Sequence, residues 1–223
     1  MKILTRKDKR LFTGSLLEWW ATAKRTYPWR RPGISPYEVL IAEVLLKRTT
    51  ATAAARVYQE LLDRWDDIEA LSNADQIQLE AILTAVGLQK QRAQGLSDIA
   101  HHLVIHESSQ IPCKYERLVA IPHIGNYSAS AILSFGFNKP KAVIDSNVVR
   151  IFKRYFLLED GSEKRLSVLE DIAVALIPKD HHREFNWALL DMGALVCRYS
   201  NPRHEICPLR GGCRFTTALY NNY

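Results

Sequence analysis

Leu118-Val-Ala-Ile-Pro-His-Ile-Gly-Asn-Tyr-Ser-Ala129 is the stretch that decides the fold of this chain. Apolar residues at helical spacing run to Ala120, Pro122 and Gly125 break the pattern, and Tyr127 to Phe135 resumes it with small residues at Ser128, Ala129, Ser130, Ala131 and Ser134. The reading is helix, tight hairpin, helix. Gly125 lets a backbone come close to another group, and the amides that open the second helix at Asn126 to Ser128 offer donors at a positive dipole end, a surface suited to phosphate. Such contacts position a nucleic acid without reading its sequence. His123 stands at a hairpin position where positive φ is uncomfortable for a side chain. Taken alone, the same segment is also an ordinary antiparallel helix pair.

Outward from the hairpin the chain keeps the helical period and shows no run of strand alternation flanked by hairpin turns, so the fold class is all-α. A first helix is expected over Lys9 to Lys24, followed by a turn-rich connector, Tyr27-Pro-Trp-Arg-Arg-Pro-Gly33. Ser35, Pro36 and Glu38 then form a cap, a first helical residue and a capping box ahead of Val39, Leu40, Val44 and Leu45. Amphipathic stretches follow at Ala51 to Trp65, Asp75 to Val86, Gln89 to His106 and Cys113 to Ala120. Asp145 or Ser146 can cap the next helix, which buries Val148, Val149, Ile151, Phe152 and Tyr155. Gly161 marks a turn, and further helices run from Lys164 to Ile177 and Arg183 to Val196.

The 223 residues suffice for a substantial core, as one domain or two small ones sharing an interface. With 47% hydrophobic and 24% charged residues, and few Gly and Pro, a disordered or repetitive chain is excluded. Thirty Lys and Arg against 24 Asp and Glu give a net charge of +6, which favours polyanionic partners. No secretory segment or apolar run of bilayer length is present, so a cytoplasmic location is expected, nucleoid-associated if the source is prokaryotic. Three of the four cysteines fall in the last 27 residues, a clustering that points to metal in a reducing compartment; Cys113 is expected to be buried as a small hydrophobe.

The hairpin and Val143-Ile-Asp-Ser-Asn-Val-Val-Arg150, which places a carboxylate eighteen residues after Tyr127, together resemble the helix-hairpin-helix glycosylase superfamily of endonuclease III and MutY. The resemblance runs from about Leu16 to Cys213 and makes Asp145 the catalytic carboxylate. Breaking a glycosidic bond passes through an oxocarbenium-like sugar, which a nearby negative charge stabilises, and a helix N-terminus favours that charge. Outside this context Asp145 reads only as a cap. The position that carries a nucleophilic Lys in the family's lyases is Tyr127 here. A phenol cannot form an iminium, so the resemblance implies hydrolysis by water without strong strand cleavage, with Lys47, Lys90 and Lys139 left as adventitious amines. The family usually has Gly where this chain has His123, which puts hairpin geometry in question.

Pro36-Tyr-Glu-Val-Leu-Ile-Ala-Glu-Val-Leu-Leu-Lys-Arg-Thr-Thr-Ala51 is similar to the first active-site helix and wedge loop of the mismatch glycosylases. Glu43 matches the acid that protonates the departing adenine in MutY, set beside apolar neighbours; outside this context it reads as a solvated surface glutamate. Lys47, Arg48 and Thr49 fall where the family inserts a side chain into the base stack, with Arg48 the candidate plug. Val86-Gly-Leu-Gln-Lys-Gln-Arg-Ala93 resembles the second wedge loop, with Leu88 as the apolar residue that would fill the gap in the opposite strand. Extruding a base costs a few kcal/mol, so filling the vacancy favours a mismatched target. The implied DNA-contacting set is Lys47, Arg48, Thr49, Leu88, Gln89, His123, Gly125, Asn126 and Ser128. A Lys/Arg-rich loop can equally be a plain phosphate-binding or solvated segment.

Cys197-x6-His204-x2-Cys207-x5-Cys213 has the spacing of the superfamily's terminal iron-sulfur loop, with His204 in place of the second cysteine. The resemblance implies a [4Fe-4S] cluster of Cys3His ligation and structural role, with zinc or no metal as alternatives. Arg198, Arg203, Arg210 and Arg214 surround it and suit phosphate contacts. The implied architecture is a six-helix barrel over residues 29–140 that contains the hairpin, with 1–28 and 141–223 forming a discontinuous helical domain. The implied activity is that of a monomeric, monofunctional DNA glycosylase acting on double-stranded DNA with a mismatched or damaged base. Leu45-Leu-Lys-Arg-Thr-Thr-Ala51 favours thymine or uracil opposite guanine; adenine opposite guanine or 8-oxoguanine, another damaged base, and a non-catalytic DNA-structure-binding protein are the competing readings.

Overall fold

The computed structural model describes residues 4–158 and 164–220, so the turn expected at Gly161 lies outside the described residues. The chain divides into two compact units, Thr26–Lys139 and a discontinuous one of Met1–Arg25 with Pro140–Tyr223. Among the described residues every regular element is helical. No helix among them is long and apolar enough to cross a membrane.

The continuous unit is organised on α2 (Pro36–Leu46), where Ser35 accepts from the Glu38 amide and Glu38 returns the bond to the Ser35 amide. Val39 through Leu45 are all buried, Glu43 included. A helix apolar on every side belongs at the centre of its unit. Against it lies α3 (Ala51–Arg64), capped by Thr50 and amphipathic, which buries Ala54, Val57, Tyr58 and Leu61. The Tyr58 hydroxyl donates to the Glu38 carbonyl at 3.2 Å, and its ring meets Trp29 edge-on. Helices α4 (Ile68–Ser72) and α5 (Gln76–Leu83) pack on α6 (Gln89–Glu107). The hairpin joins α7 (Tyr115–Val119) to α8 (Asn126–Ala131).

Two features of this unit differ from expectation. The helix expected to run to Phe135 widens after Ala131 into a π turn, Ile132–Gly136, at whose end a Cβ on Gly136 would lie 2.7 Å from Pro36 Cα. The turn thus packs against the start of α2. Cys113 is exposed rather than buried, because it sits in the loop before α7, where its carbonyl accepts from Lys139. Helix α4 was not legible at all: five residues behind the Asp67 cap are too few to show a period.

The discontinuous unit holds α1 (Arg6–Ala23), α9 (Ser146–Phe156), α10 (Lys164–Leu176), α11 (His182–Leu195) and α12 (Arg214–Tyr220). Phe12 sits at its centre, edge-on to Tyr155 at 4.8 Å and close to Phe152 and Phe185. Asp191 is fully buried on α11 and accepts from the Trp20 indole at 2.9 Å and the Arg25 guanidinium at 2.7 Å, fastening the end of α1. Val149, expected in the core, is only half-buried, at the margin of the apolar face of α9.

Candidate active site

In the discontinuous unit, Asp145 caps α9 with one carboxylate oxygen and leaves the other to a side chain. Oδ1 accepts from the Val148 amide at 2.8 Å; Oδ2 accepts from Asn147 Nδ2 at 2.7 Å. Asn147 is itself fixed, since its Oδ1 accepts from Arg150 Nη2 at 2.7 Å. Arg150 also donates to the carbonyls of Gly193 and Cys197, at 2.9 and 2.8 Å. A continuous hydrogen-bonded chain therefore joins the backbone of Cys197 to the carboxylate of Asp145. Gly193 makes this approach possible: a Cβ there would lie 2.4 Å from Asn147 Cβ. From the other side, Asn186 is fully buried and holds the loop that leads to Asp145, accepting from the Val143 amide at 3.2 Å and donating to the Lys141 carbonyl at 2.9 Å. Asn147, Arg150, Asn186 and Gly193 were not singled out from the sequence. The only local signal is the i, i+3 spacing of Asn147 and Arg150, which places them on one helix face.

In the continuous unit, Glu43 is 5% exposed, on the buried helix α2, so the solvated alternative for this residue is overturned. Lys47 ends that helix, and its ammonium donates to the His123 carbonyl of the hairpin. Burial lowers the Lys47 pKa, with the Glu43 carboxylate pulling the other way. His123 does adopt positive φ, +63°. Two contacts compensate: its ring lies over Gly95, and Nε2 is 2.8 Å from Asp98 Oδ2. The hydrogen bond from His123, with a second from Gln94, holds the Asp98 carboxyl below its usual range.

Gly125 caps α8 at φ −92°, a conformation open to any residue, and a Cβ there would meet nothing within 4 Å. Neither strain nor internal crowding calls for Gly, which leaves room for approach from outside. Asn126 is exposed and Tyr127 half-buried; the Ser128 side chain is buried, so only its amide is available at the helix start. The loop residues Arg48 and Leu88 both take left-handed conformations, φ 55° and 54°, and both are exposed. The Thr49 hydroxyl faces inward, donating to the Val86 carbonyl at 3.2 Å and accepting from Arg92, and Gln89 is half-buried at the start of α6. A cavity of about 300 Å³ opens among Lys47, Arg48, Leu88, Gln91 and His123.

Cys197, His204, Cys207 and Cys213 line one cavity in the discontinuous unit. Arg154 reaches into it, donating to Cys197 Sγ at 3.5 Å while its own carbonyl accepts from Cys213. Burial pushes the Cys207 thiol up to about 11, the neighbouring Cys197 and Cys213 adding to the rise. His204 stacks on Phe215, with Nδ1 3.5 Å from the Thr216 hydroxyl. Among the described residues no three His, Cys, Asp or Glu side chains form a group that could hold a metal ion. Arg198, Arg203, Arg210 and Arg214 are exposed around the loop.

A hairpin between helices in one unit and a capped carboxylate in the other define a class. Residues 41–173 match the HhH-GPD superfamily of base excision DNA repair proteins, and the chain belongs to that family. It is 29% identical over 215 residues to the thymine/uracil-DNA glycosylase of Methanothermobacter thermautotrophicus, covering 95% of this chain and 96% of that protein. The solved structure of a thermostable thymine-DNA glycosylase superposes with a TM-score of 0.90 at 28% identity, over 97% of this chain and 100% of that one. The adenine DNA glycosylase of Buchnera aphidicola is 30% identical over 205 residues, which cover 92% of this chain and 58% of that protein.

Proposed function

We propose that this protein is a monofunctional DNA glycosylase of base excision repair that hydrolyses the N-glycosidic bond of an extruded thymine or uracil opposite guanine. The observation that carries the reading is the held carboxylate of Asp145, one oxygen capping α9 and the other fixed by Asn147, in a chain whose near-full-length relatives bear thymine/uracil glycosylase names. The C1′–N bond breaks, the electron pair leaves with the base, and the sugar acquires oxocarbenium character. Asp145 stabilises that positive charge and orients the water that adds to C1′, and the proton this water sheds passes to solvent, offsetting the one Glu43 gives up. Glu43, removed from solvent on α2, supplies the proton to the departing base. Tyr127 offers no amine, so water rather than the protein completes the reaction, leaving free base and an abasic sugar. Lys47, Arg48, Thr49, Leu88 and Gln89 form the loops that meet the distorted duplex. His123, Gly125, Asn126 and Ser128 form the phosphate-facing hairpin. The protein acts as a monomer on double-stranded DNA in the cytoplasm or nucleoid.

The loop Cys197 to Cys213 carries three thiols and an imidazole around one cavity, donor types that a [4Fe-4S] cluster takes, although no three of them among the described residues are gathered closely enough to grip an ion as they stand. Such a group would brace the loop and take no part in base release. Iron, sulfide and zinc analysis of protein purified without oxygen decides among cluster, zinc and neither.

An adenine-specific reading is favoured by one observation, the burial of Glu43, the residue matching the MutY acid. A panel of duplexes separates the two. Thymine and uracil opposite guanine are expected to be released and T·A left intact, with strand breaks seen only after alkali. Release confined to adenine opposite guanine or 8-oxoguanine would replace the thymine reading, and alkali-independent nicking would refute the role given to Tyr127.

A further inference from the structure

Arg92 is charged, only 5% exposed, and bound to four carbonyls and a hydroxyl. Nη1 donates to the carbonyls of Val44 and Leu45 at 2.8 and 2.9 Å, and Nη2 to that of Lys47 at 2.6 Å. These carbonyls stand at the C-terminal end of α2, where helix geometry leaves them without intrahelical partners and the dipole favours a cation. Nη2 also donates to the Thr49 hydroxyl, and Nε to the Gly87 carbonyl at 2.8 Å. One guanidinium thus spends its fixed fork of five donors on the end of α2 and on two loops separated by some forty residues in sequence. Thr49 adds a parallel tie through the Val86 carbonyl.

The tips of the same two loops are Arg48 and Leu88, both held at positive φ without being glycine. Non-glycine residues persist there only when their surroundings over-determine the backbone. Arg92 is what the two loops share: it bonds the residues on both sides of Arg48, Lys47 and Thr49, and the one just before Leu88, Gly87.

We propose that Arg92 is a positioning residue that sets Arg48 and Leu88 as one rigid wedge, so that duplex opening depends on it while the chemistry at the glycosidic bond does not. This rests on the reading of the loops given above as the duplex-facing part of a glycosylase. The wedge is needed when the target base is stacked and paired. It is dispensable when the base is already unpaired.

The test compares Arg92→Lys with the wild type on two substrates, uracil opposite guanine in duplex and the same uracil in a single strand, under single-turnover conditions. Lysine keeps the charge and loses the fork. The expected result is a loss of about tenfold or more on the duplex and less than about threefold on the single strand, since misplacement away from the reacting bond acts through positioning. Thr49→Val, which removes one acceptor of the fork and leaves Arg92 in place, is expected to show the same asymmetry at about a third of the size. Equal losses on both substrates, or none on either, in both variants would overturn the proposal. A fluorescent base analogue next to the mismatch gives a readout independent of catalysis: wild type raises its emission on binding and Arg92→Lys does not. Unstacking by wild type without base release from any substrate would refute the glycosylase reading and leave the Arg92 proposal standing; undiminished unstacking by Arg92→Lys would refute the latter alone.

Discussion

Replacing Asp145 by Asn changes the charge at the reacting centre and little of the packing, and the size of each effect follows from two hydrogen bonds. The Asn carbonyl can still accept from the Val148 amide, so the cap on α9 survives. Its amide nitrogen then replaces Oδ2 opposite Asn147 Nδ2, donor against donor at about the present 2.7 Å. Asn147 cannot turn over freely, because its oxygen is committed to Arg150. One hydrogen bond is lost whichever amide rotates, a cost of about 1 kcal/mol. For a chain of this length that lowers the melting temperature by about 2–4 °C. The loss of a negative charge beside a developing oxocarbenium ion is larger, about 3–4 kcal/mol, or 10²- to 10³-fold in rate. DNA affinity should hold or rise slightly, since an anion is removed from the path of a polyanion. Single-turnover base release, fluorescence anisotropy with a mismatched duplex, and thermal melting measure the three quantities separately. Turnover within about threefold of wild type would refute the catalytic role given to Asp145. A rate loss matched by a collapse of the melting temperature would show that Asp145 is only a cap.

Two further outcomes concern stability. Burial pushes the Glu38 pKa up, but the Ser35 amide and hydroxyl and Arg31 outweigh it, so the folded value lies below the ordinary one. A depressed carboxylate stabilises above its unfolded pKa and loses that contribution as pH falls through the folded value. Urea melts should therefore show Glu38→Gln less stable than wild type by about 1 kcal/mol above pH ~5, with the gap closing below pH ~4; a gap independent of pH would refute the assignment. Asp191→Ala strands the Trp20 indole and the Arg25 guanidinium and should cost about 3–5 kcal/mol in denaturant melts, while a loss under about 1 kcal/mol would show that the network carries no weight.

The helices that could be read directly share a reason: their information is local. The Ser35-Pro36-Glu38 start of α2 and the apolar spacing of α3, α6 and α9 are properties of a dozen neighbouring residues, and they appear where the period places them. The π turn after Ala131 was not legible, because it arises where the Gly136 backbone meets Pro36, a hundred residues away in sequence. Nor was the exposure of Cys113, since residue type gives a preference for burial and the loop decides whether it is met.

The same division runs through the candidate site. The sequence by itself determined the helical class, the hairpin, the carboxylate at Asp145 and the absence of an amine at Tyr127, because each is a matter of residue identity at short spacing. Only the tertiary structure decided that His123 could occupy a left-handed position, through Asp98 and Gly95. It also decided that Glu43 is buried, that Asp145 is tied through Asn147 and Arg150 to Cys197, and that one guanidinium on α6 serves two loops. Those facts depend on partners tens of residues away. A hydrogen bond is directional and spans about 3 Å, so chain spacing cannot state it until the helices are packed.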